Sequence, residues 1–121
     1  MMTVRLARNS TGMIRRFTIT GHAGYAPSGE DILCAGVSAI AQTVIGSLQD
    51  LAGIQPDYTL EDGRIRCELP DPRLLSTDQA IAARILMESL AVGCRQIEAS
   101  YGQAFIQVID TQYRNKGGAR A

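Results

Sequence analysis

The repeat of apolar residues changes its period along this chain, and the change constrains the fold more than any other feature. Between residues 37 and 51 the apolar positions recur three and four apart, the spacing of one helical face. They are Val37, Ile40, Ala41, Val44, Ile45, Leu48 and Leu51. This stripe predicts a helix of about five turns that begins near Asp31. The segments on both sides alternate instead, so the chain is expected to mix strands with helices.

Two hairpins are expected, one on each side of that helix. Residues 3–7 alternate in polarity, residues 9–12 supply turn chemistry, and residues 13–20 form a second β-rich run. The second hairpin joins residues 58–60 to 65–69 through Asp62-Gly63. Because Asp-Gly tolerates positive φ angles, this two-residue loop predicts a type I′ turn.

A second helix and a last strand complete the expected order. Ser76 with Gln79 matches a capping box that opens the helix, which ends before Gly102. Its expected buried stripe is Ala82, Ile85, Leu86, Leu90, Cys94 and Ile97. Residues 104–109 read as the closing strand. The order ββαββαβ predicts an α+β fold, a five-stranded sheet with both helices packed on one face.

Length and charge bound the class of protein. With 121 residues and a mass of 13.0 kDa, the chain is expected to form one domain over residues 1–112. Twelve basic and 12 acidic residues balance, which argues against direct nucleic-acid binding of the strongly basic kind. Residues 113–121 form a basic, flexible tail, either a solvated end or an RNA contact. The apolar runs are expected to be shorter than a membrane span, so no membrane partner is expected.

Cysteine usage points to a reducing compartment. The three cysteines, Cys34, Cys67 and Cys94, are an odd number without a CxxC pair. The first residues lack the pattern of a signal peptide. A cytoplasmic protein is therefore expected, with no disulfide scaffold, and the dispersed cysteines lack the spacing of a metal site.

The stretch from Gly21 to Ser38 carries the candidate chemistry. His22 is the only histidine, and Cys34 falls at the third position of the first helix if Asp31 is its N-cap. A helix start favours the thiolate form of a cysteine, and an adjacent imidazole can act as base and then as acid. Backbone N–H groups at the helix start are candidate oxyanion donors. The residues thus favour a catalytic Cys34 and His22 pair, whereas Cys67 and Cys94 are read as core packing.

Several neighbours of the pair have two open interpretations. Asp31 either caps the helix or orients His22. The Ser38 hydroxyl either bonds the Cys34 sulfur or satisfies the carbonyl of residue 34. The connection between His22 and the helix is either a lid that orders over a peptide or an ordinary long loop. Its candidate substrate-loop residues are Gly24, Tyr25, Pro27 and Gly29.

The same stretch resembles the signature of the ribosomal-processing cysteine protease Prp (YsxB-like) family. The family motif reads Gly-His-Ala, a glycine-bearing loop, then Gly-x-Asp-Ile-[Val/Leu]-Cys-Ala-[Ala/Gly]-Val-Ser. It matches residues 21–23 and 29–38, with Leu33 and Gly36 as mild departures, and spans about a sixth of the chain.

The resemblance implies a specific activity. Proteins of this family are cysteine endopeptidases that remove the amino-terminal extension of large-subunit ribosomal protein number twenty-seven, cutting after an aromatic pair, and they are homodimers of α+β fold. The resemblance places the catalytic pair on His22 and Cys34, with Asp31 and Ser38 at the other characteristic positions of the motif. It implies no cofactor. The alternative is a non-catalytic, ribosome-associated module that holds a peptide or RNA.

Overall fold

The computed structural model describes residues 1–24 and 31–114, and over these ranges the element order is the expected ββαββαβ. The elements are β1 (Met2–Arg8), β2 (Ile14–Thr20), α1 (Ile32–Asp50), β3 (Asp57–Glu61), β4 (Arg64–Glu68), α2 (Thr77–Tyr101) and β5 (Ile106–Gln112). A short 3₁₀ turn, Pro72–Leu74, precedes α2.

The five strands form one mixed sheet in the order β3-β4-β2-β1-β5. β1 runs parallel to β5, and the other neighbours are antiparallel. Val4 lies opposite Ile19, and Ile19 opposite Ile65, so a row of apolar side chains crosses three strands on one face. Both helices contribute their buried residues to the single core that this face forms. The α+β architecture with both helices on one face is confirmed.

Helix α1 begins where its cap residue predicts. The Asp31 side chain accepts hydrogen bonds from the backbone N–H groups of Leu33 and Cys34, which satisfies two donors that a helix start leaves without partners. The buried residues of the helix are Leu33, Val37, Ala41, Val44, Ile45 and Leu48. Leu51, which the stripe included, is instead 80% exposed because the helix has ended at Asp50.

The same helix corrects the expectation about apolar runs. Ile32–Asp50 is long and apolar enough to cross a membrane by length and composition. Its one charged residue, Asp50, stands at its carboxyl end, so the rest of the helix is an uncharged stretch. Six of its side chains lie in the core against the sheet and α2, so this structure uses it as a core helix.

Helix α2 has the expected capping box and a rotated buried face. Ser76 and Gln79 bond each other's backbone reciprocally. The buried residues are Ala83, Met87, Leu90, Ala91 and Cys94, whereas Ile85 is 62% exposed. Apolar residues occur on both sides of this helix, so hydrophobicity alone did not identify the side that faces the sheet.

The turn between β3 and β4 occurs at Asp62-Gly63 but is not of the expected type. Gly63 has a φ of 76°, while no residue other than glycine has a positive φ in residues 1–24 and 31–114. A type I′ turn needs positive φ at both central residues, whereas a type II turn needs it only at the second. The pattern at Asp62-Gly63 therefore fits a type II turn.

The carboxyl-terminal part of the domain extends further than the sequence predicts. Strand β5 continues to Gln112. Tyr113, assigned to the flexible tail, is only 2% exposed. Its N–H donates to the Arg8 carbonyl, its hydroxyl donates to Glu68, and the Arg15 guanidinium lies 4.4 Å from its ring centroid. The tail prediction is therefore wrong for Tyr113; residues 115–121 lie outside the described residues.

Candidate active site

The end of β2 is held in a conformation that only glycine adopts easily, and this positions His22. Gly21 has a φ of 83°, and a Cβ on it would lie 2.5 Å from the backbone oxygen of Met1. Its N–H donates to the carbonyl of Gly63 at 3.0 Å. Gly21 is thus fixed between the start of β1 and the β3–β4 turn, and the next residue, His22, is directed from that fixed point toward α1.

Asp31 acts as the helix cap in this structure. Its Oδ1 accepts from the N–H groups of Leu33 at 2.9 Å and of Cys34 at 3.3 Å. The cap places Cys34 at the third helical position, as the sequence predicts. Of the two interpretations of Asp31, the geometry favours the cap, because the residue is buried and its carboxylate bonds the helix start.

Cys34 and His22 lie side by side. The Cys34 Sγ is 3.8 Å from His22 Nδ1, and the backbone N–H of Ala23 donates to the same sulfur at 3.3 Å. The distance between sulfur and ring nitrogen is longer than that of a tight hydrogen bond, as is common in catalytic pairs without substrate. The end of β2 and the start of α1 therefore bring together a thiol and an imidazole.

The protonation of the Cys34 thiol differs from the expectation of a lowered pKa. Burial raises the pKa of Cys34, and the Asp31 and Asp62 carboxylates raise it further, while the hydrogen bond from Ala23 opposes them. Burial raises the pKa of Cys67 and that of Cys94 to about 12. The surroundings of Cys34 thus raise its pKa rather than lower it, and the His22 imidazole lies beside the thiol.

The pair opens into a cleft of about 270 Å³. Its lining residues include Met2, Ile19, His22, Cys34, Ser38, Glu61, Asp62, Gly63 and Arg64. Ser38 lies one helical turn beyond Cys34. Within residues 1–24 and 31–114 its hydroxyl bonds neither the sulfur nor the carbonyl of residue 34, so neither interpretation of Ser38 is seen; its position leaves it facing the cleft.

Three N–H groups at the helix start already have partners, so they are not the free oxyanion donors that the sequence suggests. The N–H groups of Leu33 and Cys34 donate to the Asp31 side chain, and that of Ala35 donates to the Asp31 carbonyl. The Ala23 N–H, in contrast, already lies at the reacting sulfur. It is the backbone donor best placed, among the described residues, to meet an oxygen that develops next to Sγ.

The candidate substrate loop is described only at its beginning. Gly24 is exposed and has a φ of 74°, and a Cβ on it would meet no atom within 4 Å. Tyr25, Pro27 and Gly29 lie outside the described residues. The choice between a lid and an ordinary connection therefore remains a prediction.

Two residues of the β3–β4 turn belong to this site although the sequence analysis assigned them only a turn. The Asp62 Oδ1 lies 3.8 Å from His22 Nε2. A Cβ on Gly63 would lie 3.3 Å from the same nitrogen, so the imidazole ring lies against that glycine. No spacing in the sequence relates residue 62 to residue 22; the signal is the antiparallel pairing of β2 with β4, which places the turn beside the end of β2.

Known proteins share both the sequence and the architecture of this chain. The statistical model of the family described as cysteine protease Prp matches residues 1–107. The ribosomal processing cysteine protease Prp of Bacillus subtilis (strain 168) is 31% identical over 103 residues, which cover 84% of this chain and 90% of that protein.

Solved structures agree. The ribosomal processing protease Prp of S. aureus, in complex with a covalently linked product peptide, has a TM-score of 0.79 at 26% identity, covering 92% of this chain and 100% of that one. The same S. aureus protease with a substrate peptide has a TM-score of 0.76 at 24% identity, over 92% and 100% of the two chains. With a family match over nearly the whole domain and a cysteine beside a histidine in its cleft, this chain belongs to the cysteine protease Prp family.

Proposed function

We propose that this protein is a cysteine endopeptidase in which Cys34 is the nucleophile and His22 the general base and acid. The observation that carries the proposal is the approach of Cys34 Sγ to His22 Nδ1, 3.8 Å apart at the edge of an open cleft. Cys67 and Cys94 are both 0% exposed and have no such neighbour among the described residues.

The proposed reaction begins with a neutral pair. His22 Nδ1 takes the proton from the Cys34 thiol as the sulfur attacks the carbonyl carbon of the scissile peptide bond. The imidazolium then gives that proton to the leaving amine nitrogen, the C–N bond breaks, and a thioester remains. A water molecule, deprotonated by the same imidazole, attacks the thioester, and the proton returns to the sulfur as the acid product leaves.

The proposed substrate is the amino-terminal extension of large-subunit ribosomal protein number twenty-seven. Support comes from the relatives, which are named as ribosomal processing proteases and whose structures include one with a substrate peptide and one with a covalently linked product peptide. The open cleft at the surface also suits a peptide substrate better than an enclosed cavity would.

We extend the proposal to a homodimer in the cytoplasm. Exposed apolar side chains on α2, namely Ile81, Ile85 and Val92, support a partner on that helix face. Three free cysteines are consistent with a reducing compartment.

The test is cleavage of a synthetic peptide that carries the extension and the first residues of the mature ribosomal protein. Wild-type protein should cut it at one bond, whereas Cys34→Ala and His22→Ala should lose activity by on the order of 1000-fold or more. Cys67→Ala is the matched control, since it removes a buried thiol that is not part of the cleft lining. Cleavage by Cys34→Ala near the wild-type rate would show the nucleophile assignment to be wrong.

A further inference from the structure

We propose that Asp62, in the turn between β3 and β4, is the positioning residue of His22. The imidazole has a different neighbour at each nitrogen: Nδ1 faces the Cys34 sulfur, and Nε2 faces the Asp62 carboxylate, each at 3.8 Å. The inference rests on the proposed function, because it assigns the residue that holds the base of that reaction.

The tautomer that the reaction needs explains why an acceptor belongs at Nε2. For Nδ1 to take the thiol proton, it has to be the unprotonated nitrogen, so the neutral ring carries its hydrogen on Nε2. A carboxylate beside Nε2 accepts that hydrogen and favours this tautomer. It also stabilises the imidazolium that forms when Cys34 loses its proton, which is the role of the acid in a nucleophile–histidine–acid triad.

Asp31, a second carboxylate near the pair, is engaged elsewhere. Its Oδ1 accepts from the helix N–H groups of Leu33 and Cys34, and it approaches the sulfur side of the site, where it raises the pKa of Cys34. The two carboxylates therefore lie on different sides of the pair. Asp31 fixes the cysteine, and Asp62 is placed to fix the histidine.

The backbone around the turn makes Asp62 a fixed partner of the ring. The Gly63 carbonyl accepts the N–H of Gly21, the residue before His22. The ring lies against Gly63, where a Cβ would be 3.3 Å from Nε2. A movement of the turn would therefore shift both the backbone just before His22 and the group that lies beside its Nε2.

The charges and the solvent exposure around the pair determine how strongly Asp62 stabilises the His22 imidazolium. Glu61, Arg64 and the two aspartates line the cleft with His22 and Cys34, and the Asp62 side chain is 89% exposed. Water weakens the attraction between a carboxylate and an imidazolium at such a site. A bound peptide that covers the cleft removes some of that water, so the contact should strengthen and shorten when substrate is present.

The test compares two neutral replacements that both suit a turn. Asp62→Asn keeps an oxygen acceptor at the same reach, whereas Asp62→Gly removes it, and both asparagine and glycine are common turn residues. Both variants lose the same charge, so their difference isolates the contact with Nε2. We expect kcat for peptide cleavage to be roughly tenfold lower in Asp62→Gly than in Asp62→Asn, with similar KM. Asp50→Asn, a charge loss at the carboxyl end of α1 and outside the lining of the cleft, should keep the wild-type kcat.

A second readout separates this inference from the proposed function. Alkylation of Cys34 by iodoacetamide at neutral pH needs the thiol and its base but no peptide. It should be at least about threefold slower in Asp62→Gly than in Asp62→Asn even if the chosen peptide is not a substrate. Equal kcat and equal alkylation rates in the two variants would overturn the positioning role while leaving Cys34 as nucleophile. A difference confined to KM would also overturn it, because that result means a contact with substrate.

Discussion

The first turn of α1 and the middle of α2 each hold a cysteine, and the two differ in solvent access and in having a base beside the thiol. Cys34 is half-buried, accepts an N–H from Ala23 and lies beside His22. Cys94 is 0% exposed, and burial is the cause that raises its pKa to about 12. The same side chain is a candidate nucleophile in one helix and core packing in the other. The pKa of both thiols is raised, so the pKa does not distinguish them. Solvent access and a neighbouring base do.

Replacing Cys34 and Cys94 by serine, one at a time, should give opposite results. These are the largest effects that we expect. Cys34→Ser should lower cleavage by on the order of 1000-fold or more with an unchanged unfolding temperature, because the site is open and already polar. Cys94→Ser buries a hydroxyl among apolar residues, so it should lower the free energy of unfolding by about 1–3 kcal/mol while the folded protein still cleaves. Peptide cleavage and thermal melts measure the two quantities on the same samples.

That pair of results can also break the comparison. If Cys94→Ser lost activity at a temperature where its far-ultraviolet circular dichroism matched that of the wild type, α2 would have a role in the chemistry that packing does not explain.

A smaller effect is expected from moving the histidine rather than removing a cysteine. Gly21 and Gly12 both have a φ of 83°, but a Cβ meets the Met1 backbone at 2.5 Å at Gly21 and nothing within 4 Å at Gly12. Gly12→Ala should cost only the left-handed backbone strain, about 1–2 kcal/mol. Gly21→Ala should cost at least twice as much and should slow cleavage at least about tenfold, because His22 shifts away from Cys34. Equal costs and equal rates for the two variants would show that the close approach at Gly21 does not position the site.

The smallest effect concerns stability at alkaline pH. The Cys94 thiol ionises near pH 8.5 in the unfolded chain but at about 12 in the folded protein. The unfolded state therefore loses this proton first, and folding stability falls as pH rises between these values. Cys94→Ala removes that contribution, so its loss of stability from pH 8 to pH 10 should be smaller than that of the wild type by about 2 kcal/mol. Chemical denaturation at both pH values measures it, and equal losses would contradict the burial of the thiol.

The parts that the sequence predicted well rest on local signals. The Asp31 cap and the Ser76–Gln79 capping box are short-range patterns, and both form as expected. The juxtaposition of His22 and Cys34 followed from a strand end and a helix start around one loop, together with a family resemblance.

The parts that the sequence did not predict depend on long-range packing. Asp62 meets His22 only because β4 pairs with β2. The buried face of α2 is rotated away from Ile85 because the sheet, rather than the helix's own pattern, decides which apolar side is covered. The raised pKa of Cys34 also depends on the tertiary structure, since burial and the nearby carboxylates outweigh the N–H bond from Ala23.

The most direct test of the central comparison is a map of the three cysteines after limited alkylation of the folded protein at about pH 7. Mass spectrometry of the digested protein should find the label on Cys34 at least about tenfold ahead of Cys67 and Cys94. Labelling of Cys34 should keep rising above pH 8.5, because its pKa is raised, and it should be slower in His22→Ala. Equal labelling of Cys34 and Cys94, or no effect of His22→Ala, would contradict the account.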